Sequence, residues 1–560
     1  MTLLQPIENE KQRQRWLEIA LVFVVCFIAG GSLVPHVNET HYLAKAKHYW
    51  QPDWCAGDLF LESGKAHLTF YWTLGWLTKF FSLATVAWIG RVAAWLALAI
   101  SWQRCSRSIL PYPFAACITA ILFVTLVDWT NFAGEWVVGG VEAKCFAYAF
   151  VFWGLAALAK EQWSRVWPCF GLAGAFHVLV GGWSAIATAM VWLSLPKKNR
   201  LSIHQMLPAI LVGVILALPG VVPALLLAQT ATVETVDQAN SIYVFHRLAH
   251  HLAPLTIPSP ELANKILRFS LLLLGFVWLR ILCTRQSPEM TPRQQSGTPA
   301  TVPSANRTSN LSQTCPLRPL DLMMRFAVAT ILISVTGLAW ELLTWNHPIL
   351  AARLLKYYFF RLADVAVPMA TCMGLGWYIF APTKKPSQWR MVLLCMAMLL
   401  PSLHLFHLSK IRFKNPYPPA DSKLADANSF RDACRWIQDN TPLDALFLVP
   451  RHAQSFKWYA ERPDLITWKD VPQSGEALLT WHERMSDVHK YDNKGGEYVT
   501  YHTLGSQGTK RICSLAAKYE FDYVLAEEYP PLQLPIAYSN DHYTIYETQE
   551  CHNDDTPKDE

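Results

Sequence analysis

Long apolar runs constrain this chain more than any other feature. About eleven hydrophobic segments recur, at residues 17–35, 68–83, 84–102, 111–128, 137–159, 166–195, 206–228, 266–283, 322–345, 364–381 and 390–408. Most are close to the ~20 residues that an α-helix needs to cross hydrocarbon. Only 16% of the 560 residues are charged, against roughly a quarter in a soluble protein. The expected fold is therefore mainly α, a polytopic transmembrane bundle. Residues 68–102 read as a short initial helix plus one span. Residues 166–195 are too long for one span and read as two short helices meeting in a hairpin, with Gly181-Gly182 at its middle.

Basic residues set the expected orientation. Lys11, Arg13 and Arg15 precede the first segment, and others fall at Arg104/Arg107, Lys160/Arg165, Lys197/Lys198/Arg200, Arg280/Arg285 and Lys384/Lys385. Placing them all in the cytoplasm obeys the positive-inside rule. Residues 36–67, 129–136, 229–265, 346–363 and the tail after 409 are then expected outside, in a plasma-membrane (inner-membrane) protein. With a charged N-terminus and no small-residue cleavage site, the first segment reads as a retained anchor. The formal net charge of +6 comes mostly from the cytoplasmic groups, so no nucleic-acid partner is implied.

Composition divides the chain. Residues 1–283 read as an N-terminal bundle with an acidic first loop at 36–67. Residues 284–320, rich in Ser, Thr, Pro and Gln, cannot bury a core and read as a disordered cytoplasmic linker. Residues 321–408 complete the bundle, and 409–560 read as a small α/β domain outside the membrane. In that domain apolar positions fall at helical spacing from Ala425 to Gln438, and strand-like runs occupy 445–450, 521–526 and 543–546. The end of the chain, from His552, reads as frayed. The thirteen cysteines include no C-x-x-C pair, and Cys55, Cys434, Cys513 and Cys551, all expected outside, cannot be paired from sequence.

Polar residues near the apolar runs carry the chemistry. Glu39, Asp53 and Asp58 share the first loop, where water is limited and a carboxylate can act as a base or bind a cation. The alternative for each is a solvated acid or a helix cap. Glu39 precedes apolar and basic residues at helical spacing and so opens a short interfacial helix. Asp128, Glu135, Glu142 and Lys144 form a second group. Glu142 and Lys144, two apart, do not face each other on a helix, whereas Glu135 and Glu142, seven apart, share a face. An ionised group in a span costs at least ~2.5–3.5 kcal/mol and marks a polar site; a snorkelling pair is the alternative.

His177, in mid-hairpin, reads first as a satisfied core histidine. His246 and His250, four apart, could chelate zinc, but no carboxylate or cysteine completes the set. No metal or cofactor is therefore expected there, and an anion held in the fork of Arg247 fits better. Arg353, Lys356 and Arg361 lie outside, against the charge rule. A phosphate at the outer leaflet would explain them, and an amphipathic interfacial helix is the alternative.

Together these features resemble a known architecture, the GT-C superfamily of polytopic glycosyltransferases that use polyprenyl-phosphate-linked sugars. The likeness covers nearly the whole chain in layout. It rests on the acidic first loop (Asn38-Glu39-Thr40-His41-Tyr42, then Gly57-Asp58), the number of spans, the basic outer loops and the C-terminal domain. Within it, the chain looks closest to an uncharacterised bacterial family of membrane proteins. Its marks are Arg247-Leu248-Ala249-His250-His251, Phe360-Arg361-Leu362-Ala363-Asp364 and a tail motif from Trp436-Ile437 through Asn440-Thr441-Pro442 to Trp468-Lys469 and Trp481.

The resemblance implies Glu39 in the acid role and Arg247, Arg353 and Arg361 as phosphate ligands; Asp58, Glu142, His250 and His251 complete the candidate site. It implies a polyprenyl-phosphate-linked sugar as donor, a lipid environment, and a glycan, lipid or protein acceptor. Superfamily members often carry two adjacent acids where this chain has Asn38-Glu39. The alternative is a non-catalytic membrane protein, such as a transporter or flippase for a lipid-linked anion. That class predicts half-repeats and midplane polar residues, whereas here no repeat is found and the polar groups collect at the outer edge.

Overall fold

The computed structural model describes residues 5–229, 231–285, 318–381, 388–492 and 498–553. The expected linker at 284–320 falls largely outside these residues, as do Lys384, Lys385 and the chain end from 554.

Helices form where the apolar runs predict them. α1 (Gln5–Gly30) leads into the first loop, which holds α2 (Glu39–Trp50), α3 (Leu59–Glu62) and α4 (Leu68–Thr73). α5 (Leu83–Ile109), α6 (Ala115–Thr130), α7 (Ala143–Ala159), α8 (Trp163–Phe176), α9 (Val178–Ser194) and α10 (Ile203–Gln229) follow. Short α11 (Val233–Ser241) and α12 (Ala249–Leu252) precede α13 (Ser259–Arg285) and α14 (Arg318–Leu343). α15 (Pro348–Leu355), α16 (Ala363–Phe380) and α17 (Gln388–Lys414) complete the helical half. Among the described residues, six helices (α5, α10, α13, α14, α16 and α17) are long and apolar enough to cross a membrane. α6, α7 and α9 are shorter apolar helices. By length and composition, then, six of the eleven segments are matched by described helices that could span.

Three segments depart from expectation for physical reasons. Residues 68–83 break into α4 and a 3-10 turn over Gly75–Lys79, too short to span. The 166–195 hairpin breaks at His177, not at Gly181-Gly182. His177 is extended (φ −147°, ψ 101°) and its Nδ1 accepts the Val180 N–H, capping α9. The glycines stay helical: a Cβ on Gly181 would strike the backbone of Gly174, so the site is kept small for close helix packing. Finally, the apolar run 137–159 is helical only from Ala143, and residues 131–142 form an irregular loop.

The C-terminal domain begins after α17, whose last turn is fixed by Arg412 donating to the Ile28 and Ala29 carbonyls of α1. α18 (Ala427–Asn440), β1 (Phe447–Leu448), α19 (Phe456–Ala460) and α20 (Gly475–His489) come first. Then follow β2 (Lys490–Asp492), β3 (Tyr498–Thr500), α21 (Thr509–Tyr519), β4 (Tyr523–Glu527), β5 (Ile536–Ser539), β6 (Tyr543–Glu547) and α22 (Gln549–Asn553). The main sheet runs β1-β4-β6-β5, with β1 parallel to β4 and the other pairs antiparallel. The three runs expected as strands are β1, β4 and β6. Edge strand β5, exposed at both ends, has no apolar run to betray it. A disulfide joins Cys513 to Cys551, while Cys55 and Cys434 are buried thiols.

Candidate anion-binding cavity

The loops at one end of the helical half and the C-terminal domain enclose a cavity of about 290 Å³. One wall carries Glu142, the last residue of the 131–142 loop, and Lys144 just beyond it. Asp364, in the first turn of α16, accepts the N–H groups of Phe132 (3.0 Å) and Ala133 (2.7 Å) and so fixes the loop. Gly134 then turns it with φ 74°, and a Cβ there would strike the His251 ring. His251 donates a ring N–H to the Ala133 carbonyl, so its tautomer is set and its second nitrogen is left over.

Beyond the turn, buried Glu135 pairs with Arg361 (2.6 Å) and lies 3.7 Å from Lys144. Glu142 is extended (φ −153°, ψ 166°) at the start of α7. Its carboxylate meets Lys144 at 2.9 Å and accepts from the Asn38 amide at 3.0 Å. The helical argument that keeps Glu142 and Lys144 apart fails here because Glu142 precedes the helix. The same loop removes the shared helical face expected of Glu135 and Glu142.

The opposite wall comes from the π-helical turn Ile242–Arg247 and from residues 357–361. Arg247 Nε donates to the Trp468 carbonyl (3.0 Å), and its guanidinium lies 5.0 Å from the Trp468 ring centre. Tyr243 and Tyr358 share a 2.7 Å hydroxyl hydrogen bond. Tyr358 sits in the left-handed region (φ 57°), a conformation that costs on the order of 1–3 kcal/mol. The strain is held by Tyr243 and by Arg361, whose guanidinium packs 3.8 Å over the Tyr358 ring.

The cavity carries a surplus of positive charge. Lys144, Arg247, Arg361 and Lys469 line it against the single carboxylate of Glu142. Glu135 lies behind, its carboxyl pushed up by burial although Arg361 and Lys144 oppose this. Burial, helped by neighbouring Arg247, pushes the Lys469 ammonium down to about 8. Burial pushes His67 down to about 4. Lys144 and Arg361 already meet Glu142 and Glu135, so the charge left over around the open volume is that of Arg247 and Lys469.

Of the residues expected from sequence, Glu142, Arg247, His251 and Arg361 meet in this cavity. His250 packs tilted against His251 (ring centres 4.0 Å apart) without lining it. Arg353 lies elsewhere, paired to Asp237 at 2.6 and 2.8 Å. Glu39 is 0% exposed and fully engaged. It takes two contacts from Arg91 (2.6 and 2.7 Å) and the N–H groups of His36 (2.7 Å) and Val141 (2.8 Å). It therefore ties α2, α5 and the 131–142 loop together, and the acid facing the cavity is Glu142. Asp58 caps α3 by accepting the Leu61 N–H (2.9 Å) and pairs with Lys457 at 3.0 Å, also away from the cavity. Lys469, Tyr243, Tyr358 and His67 are lining residues that spacing along the chain does not single out. Among the described residues, no group of three His, Cys, Asp or Glu is arranged to hold a metal.

Residues 428–488 match the family model described as Domain of unknown function (DUF6798). That stretch runs from α18 nearly to the end of α20 and contains Lys457, Trp468, Lys469 and Trp481. No curated protein matches the chain.

Proposed function

We propose that the cavity binds the phosphate of a polyprenyl-phosphate-linked sugar and that the chain transfers the sugar to an acceptor hydroxyl outside the cell. One observation carries the reading: four cations and one carboxylate share a cavity where membrane-length helices meet a polar domain. Arg247, Arg361 and Lys469 would hold the lipid phosphate. The acceptor oxygen attacks the anomeric carbon, its proton passes to Glu142, and the bond from that carbon to the phosphate oxygen breaks. The charge left on the lipid phosphate is met by preorganised cations, usually the largest catalytic contribution.

Two features support the orientation. At the other end of α1, α5 and α7, Lys11, Arg15, Arg104, Arg107 and Lys160 gather, as cytoplasmic ends do. The Cys513–Cys551 disulfide suits an oxidising compartment for the C-terminal domain.

The test is transfer from polyprenyl-phosphate sugars by the full chain in lipid nanodiscs. Glu142→Gln lowers transfer by roughly 10²–10⁴-fold, the usual contribution of a general base, and keeps polyprenyl-phosphate affinity. Glu39→Gln instead loses folded protein, because it breaks a buried pair. Tight lipid-phosphate binding with no transfer by the unaltered chain from any donor would favour the transporter class.

A further inference from the structure

A second, more enclosed cavity of about 210 Å³ lies between the C-terminal domain and the 242–247 turn. It shares no lining residue with the first. Its basic side chains are His246, Arg451, His482, His489 and Lys490, and among the described residues no Asp or Glu lines it. The indoles of Trp468 and Trp481 add apolar walls, with ring centres 5.5 Å apart.

Among the described residues, three buried nitrogens in this lining have no hydrogen-bond partner: Nε2 of His482, Nε2 of His489 and Nε of Arg451. His489 is only 2% exposed. The arrangement is held in place, because Arg451 Nη1 donates to Thr500 (3.2 Å) and Trp481 Nε1 to the Thr467 carbonyl (3.0 Å). Buried polar groups are normally satisfied, and leaving several open around one volume is costly unless something fills it. Burial, with Arg451 nearby, pushes His489 down to about 3. The imidazoles are then uncharged, the positive charge of the lining is that of Arg451 and Lys490, and an anionic group answers it while the imidazoles hydrogen-bond. The volume is about seven times the ~30 Å³ share of one water, so a bare ion leaves much of it empty beside the two indoles.

We propose that this cavity is a second ligand site, which takes a sugar-sized molecule bearing one carboxylate or phosphate. The anionic group meets Arg451, His482 and His489, and an apolar ring face lies on the indoles. The inference stands independently of sugar transfer at the first cavity. The two sites touch through Trp468, which also has Arg451 at 4.4 Å and Arg247 at 5.0 Å from its ring centre.

Calorimetric titration of the full chain in detergent with glucuronate, glucose 6-phosphate, inorganic phosphate and glucose tests it. A charged sugar binds, and glucose binds at least about tenfold more weakly, because charge-assisted hydrogen bonds are the strong ones. Arg451→Gln and His482→Gln each weaken the charged sugar about tenfold or more at an unchanged melting temperature. Charged-sugar binding that survives both Arg451→Gln and His482→Gln overturns the site, as does no binding of either charged sugar. Equal affinity for inorganic phosphate overturns its assignment to a sugar-sized ligand.

Discussion

Two polar regions of this molecule carry opposite charge imbalances, and only one of them has room for a ligand. In the first cavity, Lys144, Arg247, Arg361 and Lys469 outnumber Glu142 around about 290 Å³ of open volume. Where the first loop meets the C-terminal domain, Asp58, Asp464 and Asp470 all contact one ammonium, that of Lys457. All four side chains there are at most 4% exposed. Lys457 stands where a bound cation would otherwise be needed, so that cluster is closed and acts as a latch. Surplus charge around space suits binding; surplus charge around a side chain joins two parts of the fold.

The largest expected effect tests the latch. Lys457→Met leaves three buried carboxylates without a cation, and breaking a buried pair costs about 3–5 kcal/mol. Thermal unfolding of the full chain should show a marked drop in melting temperature. An unchanged melting temperature would show that the acidic cluster is not a latch.

A smaller effect tests the cavity wall. Gly134→Ala puts a side chain at φ 74°, which costs about 1–3 kcal/mol, and drives it into His251. The 131–142 loop carries both Glu135 and Glu142, so lipid-phosphate affinity should fall along with stability. Loss of stability at full affinity would mean that the loop does not set the cavity.

How far the sequence shows this depends on where each residue's partner lies. The helices were legible because apolar runs of span length have few alternatives. The strands β1, β4 and β6 were legible as short apolar runs, whereas edge strand β5 was not. Glu39 and Glu142 look alike in sequence. What separates them is Arg91, placed 52 residues from Glu39 inside an apolar segment. An arginine in such a run needs a buried partner, and that was the available signal. Lys469 carries no such mark, because only tertiary packing brings it from the tail to Glu142. The Glu142–Lys144 pair was hidden by reading the helix from 137, six residues before it begins at Ala143.

A subtler change sharpens the account of the latch. Burial pushes Asp464 up to about 7, despite its contact with Lys457, since one lysine cannot neutralise three acids. Lys457 and His41 together hold Asp470 below the usual carboxylate range against the same burial. The unfolded value for Asp is about 3.9, so Asp464 binds more protons folded than unfolded. Its contribution to stability is full below about 4 and is lost as pH rises through about 7. Asp470 acts in the opposite sense, losing its contribution only as pH falls below about 4. Asp464→Asn should therefore raise the melting temperature slightly at pH 8 relative to the unaltered chain, with the gain shrinking toward pH 5. A gain independent of pH would mean that Asp464 is not the protonated member.

The smallest expected effect separates the cavity from the other cations that the sequence reading places outside. Arg353 was expected from sequence to hold phosphate on the same grounds as Arg361, since both break the charge rule. Arg353 is half exposed and paired with Asp237, whereas Arg361 is buried against Glu135 and Tyr358 within the cavity lining. An exposed pair in water adds little, and Asp237 already meets this guanidinium. Arg353→Gln should thus leave polyprenyl-phosphate affinity unchanged, while Arg361→Gln weakens it about tenfold or more, the usual loss of a charge-assisted hydrogen bond. Equal weakening by the two substitutions would spread the phosphate site across the whole surface at this end of the bundle and dissolve the distinction between an enclosed cavity and a merely basic face.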